Sequence, residues 1–200
     1  MRKQHQMAGY KIQNQNGLYY LTLTIIDWVD VFTRPVYRDI IIDSLDFCQK
    51  EKGLVVHAFT IMSNHIHLIC RAKEGSIGLS RIIADFKKFT ANQILKTIQT
   101  ENESRRDWML LVFSYNAKTK ANNRHHQVWI QDNHPIALIT PKWIKQKINY
   151  IHLNAVRAKW VKEAHHYPYS SASNYRDGSG LLDVEIIDLG VTDFYVFTGR

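Results

Sequence analysis

The sequence predicts an α+β fold of the ferredoxin-like class, in which a small antiparallel sheet carries helices on one face. Three observations predict it. Short runs of β-branched and aromatic residues are typical of strands, and longer stretches repeat apolar residues at helical spacing. These segments follow one another in the order β-α-β-β-α, with a later strand. Elements in this order form a sheet with helices packed against it.

The first strand and first helix are predicted near the beginning of the chain. Residues 18–27, LYYLTLTIID, are rich in β-branched and aromatic types and are expected to form a strand. A helix is predicted over 35–52, with Pro35 near its start and Gly53 just past its end. Proline suits the first helical turn and glycine the position after the last one, so both ends of the helix are marked.

Two adjacent strands and a second helix follow. LVVHAFTIM at 54–62 and HIHLIC at 65–70 are separated by a Ser-Asn turn. A helix is predicted over 77–99, where apolar residues recur at roughly helical spacing. Ser76 is the candidate N-cap of this helix.

The second half of the chain is less regular. Residues 101–125 are polar and expected to be irregular apart from an apolar run at 108–113. A short strand is predicted at 125–131. Thr140, followed by a proline, should open a helix that runs to about residue 153. The C-terminal tail could add one or two strands.

The composition indicates one domain. Two hundred residues suit a single domain, and we expect a polar N-terminal segment at 1–17, the domain at 18–176 and an extension at 177–200. The longest apolar runs are too short to cross a membrane, and the N-terminus lacks the apolar core of a signal peptide. Two cysteines provide no disulfide framework. A cytoplasmic location is therefore expected.

The charge of the chain favours a polyanionic partner. The net charge is +8, from 26 Lys and Arg against 18 Asp and Glu. Neutralising phosphates releases counterions, so a basic protein gains affinity for nucleic acid. Charge alone remains weak support, because many basic proteins bind no nucleic acid.

The segment MSNHIHLIC contains a candidate metal site. His65 and His67 lie two apart in a predicted strand, so both imidazoles leave the same face. Two imidazoles on one face can hold a divalent cation with positions left open for substrate oxygens. The alternative is a pair of surface histidines. His57, alone on the preceding strand, is expected to be packed or solvated.

The helix predicted after Thr140 carries a candidate nucleophile. Ile144, Ile148, Ile151 and Ala155 form an apolar stripe. Tyr150 and Asn154 lie one turn apart on a neighbouring sector, which also carries Lys147. A phenol and an amide oxygen presented together could serve as nucleophile and metal ligand. The alternative is a half-buried, hydrogen-bonded tyrosine.

Taken together, these segments resemble the single-tyrosine HUH transposases, especially the REP-associated tyrosine transposases. MSNHIHLI is similar to the family's M-P-N-H-x-H strand, and NYIHLNAVRAKWV resembles its R-Y-h-x-x-N-P-V-R-A-G-L-V block. YPYSSASNY resembles its Y-P-W-S-S segment, QVWIQDNHPIALI a degraded L-W-Q block, and FTRPVYRDIIIDSL the usual first helix. The blocks occur in the family's order from about residue 18 to residue 175. Ala155 replaces the usual proline, which predicts a longer helix.

The resemblance implies roles for specific residues. His65 and His67 match the metal-binding pair, Tyr150 the tyrosine that attacks DNA, and Asn154 the polar residue that completes the metal site. The tyrosine helix is expected to pack near the His-x-His strand. A divalent ion, Mg²⁺ or Mn²⁺, is the implied cofactor. Candidate DNA contacts come from basic residues that share no motif: Lys87, Lys88, Arg105, Arg106, Lys118, Lys120, Arg124 and Lys147.

The function implied by the resemblance is cleavage and rejoining of single-stranded, hairpin-containing DNA through a 5′-phosphotyrosine. The protein would act as a monomer or a homodimer. Alternatives are a domesticated or non-catalytic DNA-binding protein of the same fold, a hydrolase with a His-x-His metal site, and a replication initiator or relaxase. Initiators often carry a lysine three or four residues after the tyrosine, where this chain has Leu153 and Asn154. That difference favours the transposases.

Overall fold

The computed structural model describes residues 11–118 and 125–189. Its four strands are β1 (Tyr19–Thr24), β2 (Leu54–Ile61), β3 (His65–Ala72) and β4 (Ile136–Ala137). Its α-helices in the described residues are α1 (Pro35–Lys52), α2 (Leu79–Thr100), α3 (Arg106–Lys118), α4 (Pro141–His152), α5 (Asn154–Arg157) and α6 (Ala172–Asp177). None of the helices in these ranges is both long and apolar enough to cross a membrane.

The strands form one antiparallel sheet in the order β2-β3-β1-β4. This order places β3, the histidine strand, in the interior of the sheet between β2 and β1. Thr22 of β1 and Thr60 of β2 both lie opposite His67. The predicted ferredoxin-like class is confirmed.

Strand alternation divides the core between the two faces of the sheet. Leu21, Leu23, Ile66 and Leu68 belong to the larger core, which α1 and α2 complete. The alternate side chains face the opposite side of the sheet, where Tyr20, Ala58 and Ile69 form a smaller core with Ile148 and Ile151 of α4. Helices α1 and α2 therefore share one face as predicted, and the tyrosine helix covers the other face, which carries the histidines.

Three of the predicted helix boundaries are confirmed. Helix α1 begins at Pro35, and Gly53 follows its last residue with φ 73°, a left-handed conformation that glycine adopts at no steric cost. Helix α4 begins at Pro141, and the Thr140 hydroxyl oxygen accepts a hydrogen bond from the Trp143 backbone N–H at 3.4 Å.

The predicted N-cap of α2 is wrong. Gly78, not Ser76, precedes the first residue of α2. The free N–H groups of the first turn are satisfied by Gln15, whose backbone oxygen accepts from Leu79 and whose Oε1 accepts from Ser80 at 2.9 Å. A helix start capped by a residue distant in sequence leaves no local signal, which explains the error.

The segments after α2 also differ from the prediction. Residues 101–125 contain a helix, α3, because Met109, Phe113 and Ala117 recur every four residues and are buried. Residues 125–131 form no strand; Trp129 makes an isolated bridge to Ile25.

One further expectation near the C-terminus is wrong. Helix α4 is not lengthened by Ala155, because Leu153, with ψ −1°, separates it from α5. The expected tail strands are tested only as far as residue 189, because residues 190–200 lie outside the described residues. No strand forms between residue 178 and residue 189, where the described chain ends; that stretch packs instead through single contacts such as the bond from the Glu185 N–H to the Val56 carbonyl oxygen.

Candidate functional site

His65 and His67 lie side by side on the face of β3 that α4 covers. Their ring centres are 4.7 Å apart and the ring planes are inclined by 70°. Ile66 and Leu68 point into the larger core on the opposite face. The period of two along the strand therefore produces the paired imidazoles that the sequence predicted.

His67 is buried, and one of its two ring nitrogens has a protein partner. Nδ1 hydrogen-bonds with the Tyr20 hydroxyl at 2.8 Å and with the Thr22 hydroxyl at 3.1 Å. Nε2 is also buried, and no described residue hydrogen-bonds to it. Burial, followed by the neighbouring His65 and Lys147, lowers the pKa of His67 to about 3. The ring is therefore neutral near pH 7 and can offer a lone pair.

His65 is oriented in a similar way by the residue before it. Its Nδ1 hydrogen-bonds with the Asn64 side-chain oxygen at 2.7 Å. Burial lowers the pKa of His65 as well, so the neutral form is favoured. Histidine ligands of metals usually use their second nitrogen in such a bond, which orients the ring. In both histidines that leaves Nε2 as the candidate ligand atom.

Tyr150 lies beside His67. The centre of its ring is 5.2 Å from that of His67 and 6.3 Å from that of Tyr20. Tyr150 is 39% exposed, whereas Tyr20 is 5% exposed. Helix α4 achieves this placement by burying Ile148 and Ile151 against the sheet, which turns the neighbouring sector of the helix towards the histidines. One chain thus supplies both the histidines and the tyrosine.

Two cations flank Tyr150. The Lys147 Nζ lies 4.4 Å from the centre of the Tyr20 ring and 5.6 Å from that of Tyr150. The Arg157 guanidinium lies 5.2 Å from the Tyr150 ring centre and donates to the Tyr150 carbonyl oxygen at 3.4 Å. The sequence motifs did not indicate a role for Arg157, although its position seven residues after Tyr150, about two helical turns, was a usable signal.

Asn154 lies one turn after Tyr150, as predicted. Its side-chain nitrogen donates to the Tyr150 carbonyl oxygen at 3.1 Å. Any contact with a metal would therefore come from the amide oxygen. No sequence pattern indicated a role for Tyr20, because its hydrogen bond to His67 depends on the pairing of β1 with β3.

Comparisons with known proteins identify the family of this chain and support its fold. The family model of the IS200-like transposases matches residues 15–133, more than half of the chain. The chain belongs to this family. Among solved structures, it is similar to a REP-associated tyrosine transposase bound to a REP hairpin, with a TM-score of 0.57 and 17% sequence identity over 96% of each chain. No curated protein matches the chain in sequence.

Membership of the IS200-like family supports a DNA-cleaving enzyme. The matched residues include His65 and His67 but end before Tyr150 and Asn154. The position of the tyrosine helix relative to the histidines therefore follows from the tertiary structure and not from the family match. The likeness to the solved transposase extends over nearly the whole chain and shows the shared fold.

A second group of residues in this IS200-like chain could hold a metal ion. Glu163, His165 and His166 offer three ligand atoms within 4.8 Å of one another. Glu163 also contacts Arg176 at 3.7 Å, and this neighbouring cation disfavours a metal ion there. Any measurement of metal binding must distinguish this exposed group from the His65–His67 pair.

The candidate DNA contacts are dispersed. The Lys87 ammonium donates to the Ile130 carbonyl oxygen and the Asn133 side chain, both at 2.6 Å, and its burial lowers the pKa of Lys87 to about 8. The Arg106 guanidinium donates to the carbonyl oxygens of Ile98 and Glu101. Both side chains are already engaged within the protein.

Arg105 belongs to an ionic group around the buried Glu103. It donates to the Glu103 carboxylate at 3.0 Å, and the Tyr37 hydroxyl donates to the same carboxylate at 3.0 Å. Lys88 and Lys118 are exposed on α2 and α3, while Lys120 and Arg124 lie outside the described residues. Of the eight candidates named from the sequence, the structure places Lys147 beside Tyr150.

Proposed function

We propose that the chain cleaves and rejoins single-stranded, hairpin-containing DNA through a 5′-phosphotyrosine on Tyr150. His65 and His67 would hold the required divalent metal ion, Mg²⁺ or Mn²⁺. The observation that carries the proposal is the position of the half-exposed Tyr150 ring, 5.2 Å from a histidine whose second nitrogen lacks a partner among the described residues.

The residues of the site fit a metal ion. A buried polar atom without a partner is costly, and such atoms call for an explanation. A bound cation would provide a partner for Nε2 of His67. With that nitrogen donating its lone pair, Nδ1 carries the proton and donates to the Tyr20 or Thr22 hydroxyl. The Asn154 amide oxygen would complete the site.

The proposed reaction is an exchange of phosphate esters. The Tyr150 oxygen attacks the scissile phosphorus, the bond from phosphorus to the 3′-oxygen breaks, and the 5′-phosphate remains on the tyrosine. The phenol loses one proton and the leaving 3′-oxygen gains one, so the exchange is neutral in protons. Attack by a 3′-hydroxyl reverses it and rejoins DNA, without ATP. A bound divalent cation would polarise the phosphate and offset its developing charge.

The surroundings favour Tyr150 over Tyr20 as the nucleophile. The Tyr20 hydroxyl is buried and bonded to His67, and burial raises the pKa of Tyr20 to about 12. Its phenol therefore stays protonated and is not open to DNA. Tyr150 is 39% exposed, so a DNA phosphate and water can approach this residue, and water would carry the phenol proton away.

Lys147 and Arg157 would attract the DNA phosphate towards Tyr150. Both cations lie within 6 Å of the Tyr150 ring centre. A pair of positive charges beside the nucleophile stabilises the extra negative charge of the transition state. The net charge of +8 would add a longer-range attraction for the DNA backbone.

Hairpin DNA is the substrate supported by the solved transposase of the same fold, which is bound to a REP hairpin. Single-stranded flanks would be recognised by stacking of bases on aromatic rings and by basic side chains. The site is assembled within one chain, which supports a monomer that cleaves without a partner's tyrosine.

The test is to trap the covalent intermediate. The protein is incubated with end-labelled hairpin DNA carrying single-stranded flanks and Mn²⁺, and a protein–DNA adduct is sought on a denaturing gel. An adduct is expected with the unaltered protein and none with Tyr150→Phe. Tyr115→Phe is the matched control, because Tyr115 is an exposed tyrosine on α3.

Three results would contradict the proposal. An adduct that persists in Tyr150→Phe would place the nucleophile elsewhere. DNA binding by the unaltered protein without an adduct, over a broad panel of hairpins that includes the gene's own flanking sequence, would favour the non-catalytic DNA-binding alternative. Multiple turnover without an adduct would favour a hydrolase.

A further inference from the structure

The turn after β1 presents a tryptophan beside the histidine pair. Trp28 is 61% exposed, and its ring centre lies 6.0 Å from that of His65. Single exposed apolar residues are common on protein surfaces. A large aromatic ring at the edge of a candidate nucleic-acid site is different, because exposed aromatic rings are what unpaired bases stack on.

The backbone of this turn is strained. Asp27 and Trp28 both have positive φ, at 50° and 55°. Residues other than glycine are rarely found there, and such strain persists only where the surrounding structure enforces it, often at functional sites. Neither residue is glycine, so the conformation is maintained against a local cost.

Two asparagines from other elements enforce this conformation. The Asn116 side chain of α3 donates to the Asp27 carboxylate at 2.7 Å. On the other side, the Asn64 side chain donates to the Trp28 carbonyl oxygen at 3.2 Å, and its oxygen bonds with His65 Nδ1 at 2.7 Å. Asn64 thus connects the tryptophan turn directly to a proposed metal ligand.

The charges around Trp28 favour a base over a phosphate. Asp27 flanks the ring in sequence, and Asp30, two residues after it, accepts a hydrogen bond from Asn64 at 3.1 Å. Carboxylates repel the DNA backbone. The Arg105 guanidinium, which donates to the Asp30 carbonyl oxygen at 3.0 Å, is paired with the Glu103 carboxylate. The cations Lys147 and Arg157 lie beside Tyr150. The phosphate is therefore attracted towards Tyr150, and the base of an adjacent nucleotide can reach Trp28 on the other side of the histidine pair.

We propose that Trp28 is a stacking site for an unpaired nucleobase next to the scissile phosphate, and that it positions this phosphate at His65 and His67. The proposal rests on the proposed function of that site. It assigns a role in DNA binding to the turn after β1, which lies outside the motifs that contain His65, His67 and Tyr150. Trp28 acts as a positioning residue, since it contacts the nucleotide that flanks the reacting one.

Binding measurements in a Tyr150→Phe background test this site without cleavage. The probe is a hairpin oligonucleotide with a single-stranded flank that carries 2-aminopurine at successive positions. Quenching is expected at one flank position and should be lost with Trp28→Ala. Trp28→Phe should retain most of it, because a benzene ring still stacks. Trp108→Ala is the matched control, since Trp108 is a 51% exposed tryptophan on α3.

Affinity provides the second measurement. Trp28→Ala should weaken binding of the probe by about 10-fold, as expected for one stacked base. Replacing the quenched nucleotide by an abasic one should weaken binding to the same extent, and the two changes together should cost no more than either alone. With Tyr150 present, Trp28→Ala should raise KM for the DNA and retain adduct formation at saturation.

The proposal is overturned if Trp28→Ala leaves quenching and affinity unchanged, if Trp108→Ala has an equal effect, or if the abasic and alanine effects add in full. Failure of the proposed chemistry has a different result: the unaltered protein would form no adduct while quenching by Trp28 persisted. The two hypotheses can therefore fail separately.

Discussion

His67 and Tyr150 lie with their ring centres 5.2 Å apart, although they belong to an interior strand and to a helix 83 positions later in the chain. Helix α4 is held there by Ile148 and Ile151, which pack on the sheet beside Ile69. A proposed metal ligand and a proposed nucleophile are thus brought together by apolar packing that takes no part in the chemistry.

Removal of the His67 imidazole should abolish metal binding at the sheet. Titration calorimetry should show tight Mn²⁺ binding at the His65–His67 pair of the unaltered protein. We expect His67→Ala to lose this binding, because a single imidazole holds a divalent ion weakly. Mn²⁺ should bind more tightly than Mg²⁺, which prefers oxygen ligands. The control is the double variant His165→Gln with His166→Gln, which removes the exposed group and should keep this binding. The reverse pattern would locate the metal at residues 163–166.

Tyr20→Phe should weaken the metal site and leave the nucleophile in place. The variant removes a hydrogen bond to Nδ1 of His67, and loss of such a bond typically lowers metal affinity by about 10- to 100-fold. Thr22 remains as a partner, so a value near 10-fold is expected. The adduct should still form when Mn²⁺ is raised. Tyr19→Phe, a buried neighbour that belongs to the larger core, should leave metal affinity unchanged.

Two inactive variants should not rescue each other. Because one chain supplies both His67 and Tyr150, a mixture of His67→Ala and Tyr150→Phe should form no more adduct than either variant alone. The measurement is the adduct yield of the mixture on a denaturing gel, with unaltered protein mixed with Tyr150→Phe as the positive control. Recovery of adduct in the mixture would show that tyrosines are exchanged between subunits.

Stability should depend on pH through Glu103. Burial alone would raise the pKa of this carboxyl, but hydrogen bonds from Arg105 and Tyr37 outweigh it and lower the pKa to about 2. The unfolded chain takes up this proton near pH 4.5, so the stabilisation is complete above that pH. It is lost progressively as the pH falls from about 4.5 to about 2.

Glu103→Gln should remove this dependence. Lowering the pKa of Glu103 from 4.5 to about 2 corresponds to a contribution of at most about 3 kcal/mol to the free energy of unfolding at neutral pH. Urea unfolding at several pH values would measure it, with the variant less stable at pH 7 and its stability changing less below pH 4.5. Asp46→Asn is the control, since Asp46 forms an exposed pair with Lys50. Equal pH dependence in the Glu103 variant and the unaltered protein would contradict the assignment.

Local patterns in the sequence predicted most of the fold. Strand composition and helical spacing located β1, β2, β3, α1, α2 and α4, because these patterns need only neighbouring residues. Helix α3 was missed because its polar surroundings concealed the repeat of Met109 and Phe113. The N-cap of α2 was misassigned because Gln15, far away in sequence, satisfies its first turn.

The sequence by itself determined which face of β3 carries His65 and His67, since side chains alternate along any strand. It also placed Tyr150, Lys147 and Asn154 on one sector of a helix. Only the tertiary structure decided that this sector lies over the histidines, that Tyr20 bonds to His67, and that Trp28 stands beside His65. These contacts depend on strand pairing and helix packing between distant segments, which no local period encodes.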